Sequence, residues 1–279
     1  MNAYFRLVRF DKPVGIYLLL WPMLWALFLA ADGWPEPRLL IIFILGVILM
    51  RSAGCVINDY ADRRIDKLVN RTAQRPITSG EISASKALKL FFSLIIIAFM
   101  LVFLTNALTI GLAFIAAFLA TLYPFTKRWT NLPQLVLGAA FAMSVPMAFA
   151  ATHNFVPDSA WWIFAATLVW TVIYDTMYAM ADREEDLKIG VKSTAILFNK
   201  YDKLIIGLLQ ILLIFILIKI SEIFNLNVFY DISLAVSAFL MIYHQLLIKN
   251  REKTACFKAF LHNNYIGMAI FIGIALSVI

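Results

Sequence analysis

Apolar residues run in long blocks along this chain, without the strict alternation of a half-buried strand or the mixed stripe of a soluble amphipathic helix. Between charged loops these blocks reach the roughly 20 residues an α-helix needs to cross a bilayer. Pro13 to Ala31 carries no charge, and Leu39 to Ile57 is interrupted only by Arg51. Leu90 to Thr126 is uncharged and long enough for two helices, joined by a tight turn at Thr105-Asn106. Further spans are expected at Pro133–Thr152, Ser159–Ala181, Leu204–Ser221, Ile232–Ile248 and Ala259–Ile279. Pro146 predicts a kink in the first of these. The pattern defines an all-α, multi-pass transmembrane bundle of nine helices, expected as a single domain over residues 1–279. The first block is too long for a signal peptide and lacks its cleavage site, so it reads as a retained helix. Asp11 and the scarcity of nearby arginines argue against a transit peptide.

Composition agrees. The chain is 62% apolar and 15% charged, with a mean hydropathy of +0.84; a soluble domain has about 45–50% and 25%. Lipid must cover what one core cannot bury. Cys55 and Cys256 are too few and too distant for a disulfide framework or a zinc pattern. His153, His244 and His262 have no ligand spacing. Hydrolase, NTPase and dinucleotide-binding fingerprints are absent.

The net charge of +7 reports topology before it suggests nucleic acid, for which nothing argues. With nine spans, all 24 basic residues except Arg38 and Lys219 share one side with the N-terminus. The other side carries Asp32, Glu36, Asp158, Glu222 and Asp231. Basic loops therefore belong in the cytoplasm and the C-terminus outside. Most of the tryptophans and phenylalanines are expected at lipid or at the interface, as Trp34, Trp161 and Trp162 at span ends suggest.

Two basic-side segments concentrate polar chemistry. Asn58, Asp62 and Asp66 are spaced i, i+4, i+8, which on an α-helix is one stripe about 12 Å long. Tyr178, Asp182 and Asp186 repeat the spacing, and Asp175 joins that face at i−3 from Tyr178. The two clusters end helices four apart, a weak internal repeat. Carboxylates stacked at i,i+4 repel by a few tenths of a kcal/mol, and a hard divalent cation relieves this. Mg²⁺ is typically held by one or two carboxylates plus substrate phosphates. Arg71, Arg75, Lys127, Arg128, Lys188 and Lys192 flank the acids, as a diphosphate would require. A solvated, self-paired helix face would explain one such cluster, but two with one spacing favour the metal. Arg51 lies two turns inside Asn58 on the same stripe; within a span it costs at least about 2.5 kcal/mol, so it faces a polar cavity or snorkels to the interface.

These residues carry a resemblance. Asn58-x3-Asp62-x2-Ile65-Asp66-x2-Val69-x-Arg71-Thr72-x2-Arg75-x4-Gly80 matches the signature of the UbiA superfamily of intramembrane aromatic prenyltransferases. Asp175-x2-Tyr178-x3-Asp182-x3-Asp186 matches that family's second aspartate motif. Asp11-Lys-Pro-Val-Gly15, Tyr123-Pro-Phe-Thr-Lys127-Arg128 and Lys192-Ser-Thr-Ala also agree, and most resemble the bacterial 4-hydroxybenzoate polyprenyltransferase branch of ubiquinone biosynthesis. The resemblance implies nine helices around a central cavity in the bacterial inner membrane. It implies Mg²⁺ held by Asn58, Asp62, Asp66, Asp182 and Asp186, and a polyprenyl diphosphate held by Arg71, Arg75, Lys127 and Lys192. Its implied acceptor is 4-hydroxybenzoate, with Arg51 a candidate for the carboxylate and Asp175, Asp59 and Tyr178 for orienting or deprotonating the phenol. The prenyl chain would lie in an apolar tunnel open to membrane lipid. Another acceptor, or a transporter of a polyprenyl-diphosphate lipid using the same cavity, is the alternative.

Overall fold

The computed structural model describes residues 2–64, 66–68 and 72–279. Its helices are α1 (Ala3–Leu7), α2 (Val14–Ala31), α3 (Pro37–Asp62), α4 (Ala84–Val102), α5 (Ala107–Thr126) and α6 (Pro133–Ala142). After these come α7 (Ser144–His153), α8 (Asp158–Ile189), α9 (Thr194–Phe198), α10 (Asp202–Phe224), α11 (Val228–Ile248) and α12 (Lys253–Val278). Among the described residues, nine spans are long and apolar enough to cross a membrane, as the hydropathy blocks predict. One of them, Pro133–His153, is divided into α6 and α7 at Met143. Pro146 explains the division, because it has no N–H for the Ala142 carbonyl and its ring crowds that carbonyl.

Local chemistry sets the ends. Asn106 occupies the expected turn and caps α5, accepting from Thr109 N (2.9 Å) and Thr109 Oγ1 (2.8 Å) while donating to the Ala150 carbonyl (2.6 Å). Ser83, Ser193 and Asn227 cap α4, α9 and α11 in the same way. At the opposite ends of α2, α7 and α10, Asp32, Asn154 and Asn225 take left-handed backbone conformations, which short polar side chains tolerate.

Several helices outrun their apolar blocks. α3 continues to Asp62 rather than Ile57, and α8 to Ile189 rather than Ala181. Apolar length marks only the part in hydrocarbon, and these two helices extend past it with their polar clusters.

α2 and α8 are the most enclosed spans, and α4 and α5 the least. Tryptophan organises the centre. Trp34, Trp129, Trp161 and Trp162 are exposed, as expected for rings mostly at lipid or the interface, and Trp25 and Trp170, 1% and 0% exposed, are the exceptions. The buried indoles are tolerated because α12 supplies acceptors: Trp25 Nε1 donates to the Gly267 carbonyl (3.0 Å) and Trp170 Nε1 to Asn263 Oδ1 (3.1 Å). Gly267 has no side chain because a Cβ there would strike Trp170 and Trp21. Two of the scattered histidines also meet, with the His244 and His262 rings 6.2 Å apart between α11 and α12. No group of three metal-binding side chains forms among the described residues.

Candidate functional site

A cavity of about 770 Å³ opens between α2, α3, α4, α5, α6, α7, α8 and α12. Its wall is apolar through most of its depth and polar at the basic end of the bundle, where Arg9, Lys12, Arg51, Asn58, Asp59, Arg75, Tyr123, Asp175 and Tyr178 contribute. Residues from both acidic segments thus share one cavity.

The first segment is not one helical stripe. α3 ends at Asp62, and Asp66 begins a short 3-10 turn, Asp66–Leu68. Arginines stop the helix. Arg63 Nη1 donates to the Tyr60 carbonyl (2.6 Å) and Arg128 Nη2 to the Ala61 carbonyl (2.8 Å), taking acceptors that a continuing helix would need. Arg75 exploits the turn. Its Nη1 lies 3.1 Å from Asp59 Oδ1 and 2.8 Å from Asp66 Oδ2, although the two acids would lie about 10 Å apart along a straight helix. The second segment does keep its stripe, because α8 is continuous through Tyr178, Asp182 and Asp186 to a left-handed Gly190.

Asp59 is 1% exposed and lies between two guanidinium groups. Arg9 Nη2 donates to both its oxygens at 3.0 Å, and Arg75 approaches from the other side. This pairing ties the N-terminal segment to α3 beside the cavity that Arg9 and Lys12 line, helped by Leu7, which is buried in one cluster with Val56 and Ile82. Asp62 pairs with Lys127 through Oδ2, while its Oδ1 is buried with no hydrogen-bond partner among the described residues. Burial pushes the Asp66 carboxyl above the usual carboxylate range; Arg75 opposes the shift, and Asp62 and Asp59 reinforce it. Those pairs raise the Arg75 guanidinium despite its burial, so it stays charged.

On α8, Asp175 meets the side chain of Gln134, whose Oε1 accepts from Thr194 N (3.1 Å). Tyr178 stands edge-on to Phe260 with centroids 5.0 Å apart. Arg51 lines the cavity rather than reaching past it, and its Nε is buried with no hydrogen-bond partner among the described residues. Its guanidinium occupies the space where a Cβ on Gly15 would be, which explains the glycine of the Asp11-Lys-Pro-Val-Gly15 segment. Lys192 holds the loop after α5, its Nζ donating to the Trp129 carbonyl (3.1 Å) and its backbone N to the Lys127 carbonyl (3.0 Å). Asp62, Asp66, Lys127, Asp182, Asp186 and Lys192 are not part of the cavity wall; Arg71, Ile65 and Val69 lie outside the described residues. Sequence reasoning did not single out Arg9, Lys12 or Gln134 for the site. The signals available were Lys12 within the Asp11-Lys-Pro-Val-Gly15 segment and a glutamine, Gln134, opening an apolar span.

Hard oxygen donors with an unpaired buried carboxylate oxygen suit Mg²⁺.

Paired acids at the head of an apolar intramembrane cavity have counterparts among known proteins. The chain belongs to the UbiA prenyltransferase family, whose sequence model matches residues 19–268. It is 69% identical to 4-hydroxybenzoate octaprenyltransferase of Vesicomyosocius okutanii subsp. Calyptogena okutanii (strain HA), over 97% of this chain and 99% of that protein. The fold matches a UbiA homologue from Aeropyrum pernix K1, solved in its apo form, at TM-score 0.83 and 25% identity, covering 95% of this chain and 98% of the other. It also matches a UbiA homologue from Archaeoglobus fulgidus bound to DMAPP and Mg²⁺, at TM-score 0.77, 17% identity and 99% coverage of each.

Proposed function

We propose that this membrane protein transfers a polyprenyl group from a polyprenyl diphosphate to the ring carbon ortho to the hydroxyl of 4-hydroxybenzoate, with Mg²⁺ as cofactor, in ubiquinone biosynthesis. The observation that carries the reading is one cavity with a charged head and a long apolar body, in a chain so similar to a 4-hydroxybenzoate octaprenyltransferase.

Asn58, Asp62, Asp66, Asp182 and Asp186 would hold the metal, which supplies Lewis-acid stabilisation of charge developing on the diphosphate. Arg71, Arg75, Lys127 and Lys192 would take phosphate oxygens, Lys127 and Lys192 after leaving their present partners. Cleavage of the donor C–O bond sends its electron pair to diphosphate and leaves an allylic cation. The acceptor ring attacks that carbon, then loses its ring proton. Arg51 is suited to the acceptor carboxylate because it is a buried cation with an unused donor. Asp175 and Tyr178 line the same wall and can orient or deprotonate the phenol. Asp59 is a positioning group, since Arg9 and Arg75 already occupy both its oxygens. The apolar wall keeps water from the cation, which would otherwise give a prenol.

The test is to incubate membranes holding the protein with labelled 4-hydroxybenzoate and a polyprenyl diphosphate, with and without Mg²⁺. Label should enter the lipid extract only with donor and metal together. A transporter would give no acceptor-dependent release of diphosphate, and that result would overturn the reading. Similarity to a bacterial relative supports placement in the inner membrane, and the charge division supports an orientation with the N-terminus and acidic segments cytoplasmic. A reporter fused after Ile279 should then be active only outside the cytoplasm, and one inserted near Asn199 only inside; the reverse refutes this topology.

A further inference from the structure

Glycine is a poor helix former, so a glycine inside a membrane helix needs a reason. The usual one is close helix packing. It applies at Gly138, Gly267 and Gly273, where an added Cβ would press on a neighbouring helix. It does not apply at Gly46 in α3, where nothing lies within 4 Å of such a Cβ. Gly46 lines the cavity, so the space its missing side chain leaves belongs to the cavity.

Its depth follows from helix geometry. From Asn58 to Gly46 is about 18 Å along α3, and to Ile42, also in the wall, about 24 Å. The pairing of Lys127 with Asp62 and of Arg128 with the Ala61 carbonyl sets α5 in register beside α3. Gly46 is therefore level with the first turns of α5, where Thr109 and Ala113 form the wall. An extended chain gains about 1.2 Å per bond, so an isoprene unit of four bonds spans about 5 Å. A prenyl chain with its diphosphate at the level of Asn58 reaches Gly46 between its third and fourth units.

We infer that Gly46 is a specificity-determining residue for prenyl chain length: its missing side chain keeps the channel open to donors longer than about three isoprene units. The inference rests on the prenyltransferase reading above and goes beyond it. Short donors end before Gly46, and only longer ones must pass it.

The test compares kcat/KM for geranyl, farnesyl, geranylgeranyl and octaprenyl diphosphates in wild type, Gly46→Ala, Gly46→Leu and Gly46→Phe. The ratio of octaprenyl to geranyl transfer should fall as the side chain grows, by about tenfold or more at leucine, with the break between three and four units. Gly111→Leu is the control, because Gly111 has equally open surroundings but lies outside the cavity wall; its ratio should match wild type. An unchanged ratio in Gly46→Leu, or an equal loss with every donor in both the leucine and phenylalanine variants, overturns the inference. If wild type itself transfers none of the four donors to the aromatic acceptor, the prenyltransferase reading fails instead.

Discussion

Replacing Gly15 with alanine should weaken binding of the aromatic acceptor and leave the prenyl donor nearly unaffected. The added Cβ would overlap Nη2, Nε and Cζ of Arg51, so the guanidinium must move. Overpacking of this kind costs about 1–3 kcal/mol. The charge-assisted hydrogen bond proposed between Arg51 and the acceptor carboxylate is worth about 1.5–3 kcal/mol. Displacing Arg51 should therefore raise the acceptor KM by roughly one to two decades, with loss of the whole contact as the ceiling. The donor KM should change far less, because in the proposed reading the diphosphate is held by Arg75, Lys127 and the metal and not by Arg51. The assay is prenyl transfer in membranes, varying each substrate in turn, with protein level checked in the same membranes. A double-mutant cycle sharpens it. If Gly15 acts only through Arg51, adding Gly15→Ala to Arg51→Ala should change the acceptor KM by no more than about twofold. Equal weakening of donor and acceptor, or full additivity in the cycle, would refute the assignment of Arg51 to the acceptor.

Asp62→Asn and Asp182→Asn should each lower prenyl transfer by about a hundredfold or more while protein level in the membrane stays near wild type. EDTA should reproduce the loss and added Mg²⁺ reverse it in wild type only; near-normal transfer in either variant would mean that the acid replaced does not hold the metal. The raised Asp66 carboxyl gives a pH signature. Its metal-free folded form holds a proton more tightly than the unfolded chain does, so this group adds stability as pH falls through its folded pKa. Metal binding must expel that proton. The rise in melting temperature on adding Mg²⁺ with inorganic diphosphate should therefore shrink as pH is lowered through that range; a pH-independent rise would contradict it.

Span number and helical class were legible in one dimension, because crossing a bilayer is decided by apolar length within one segment. The stripe on α8 was legible for a related reason: a 3.6-residue period turns spacing into a face as long as the helix continues. The same logic failed at Asp66, where Arg63 and Arg128 take the last carbonyls of α3 and the chain turns back so that one Arg75 nitrogen can reach two acids. The bridge by Arg9 to Asp59, the buried pair Trp25 and Trp170, and the space over Gly46 were likewise invisible along the chain. Each depends on which surface of another helix arrives opposite, and that is settled by packing between residues far apart in sequence. Sequence alone determined what must leave water and which groups could carry charge; tertiary structure decided which charges meet and where the bundle stays open, because pairing energies and free volume exist only between surfaces brought together.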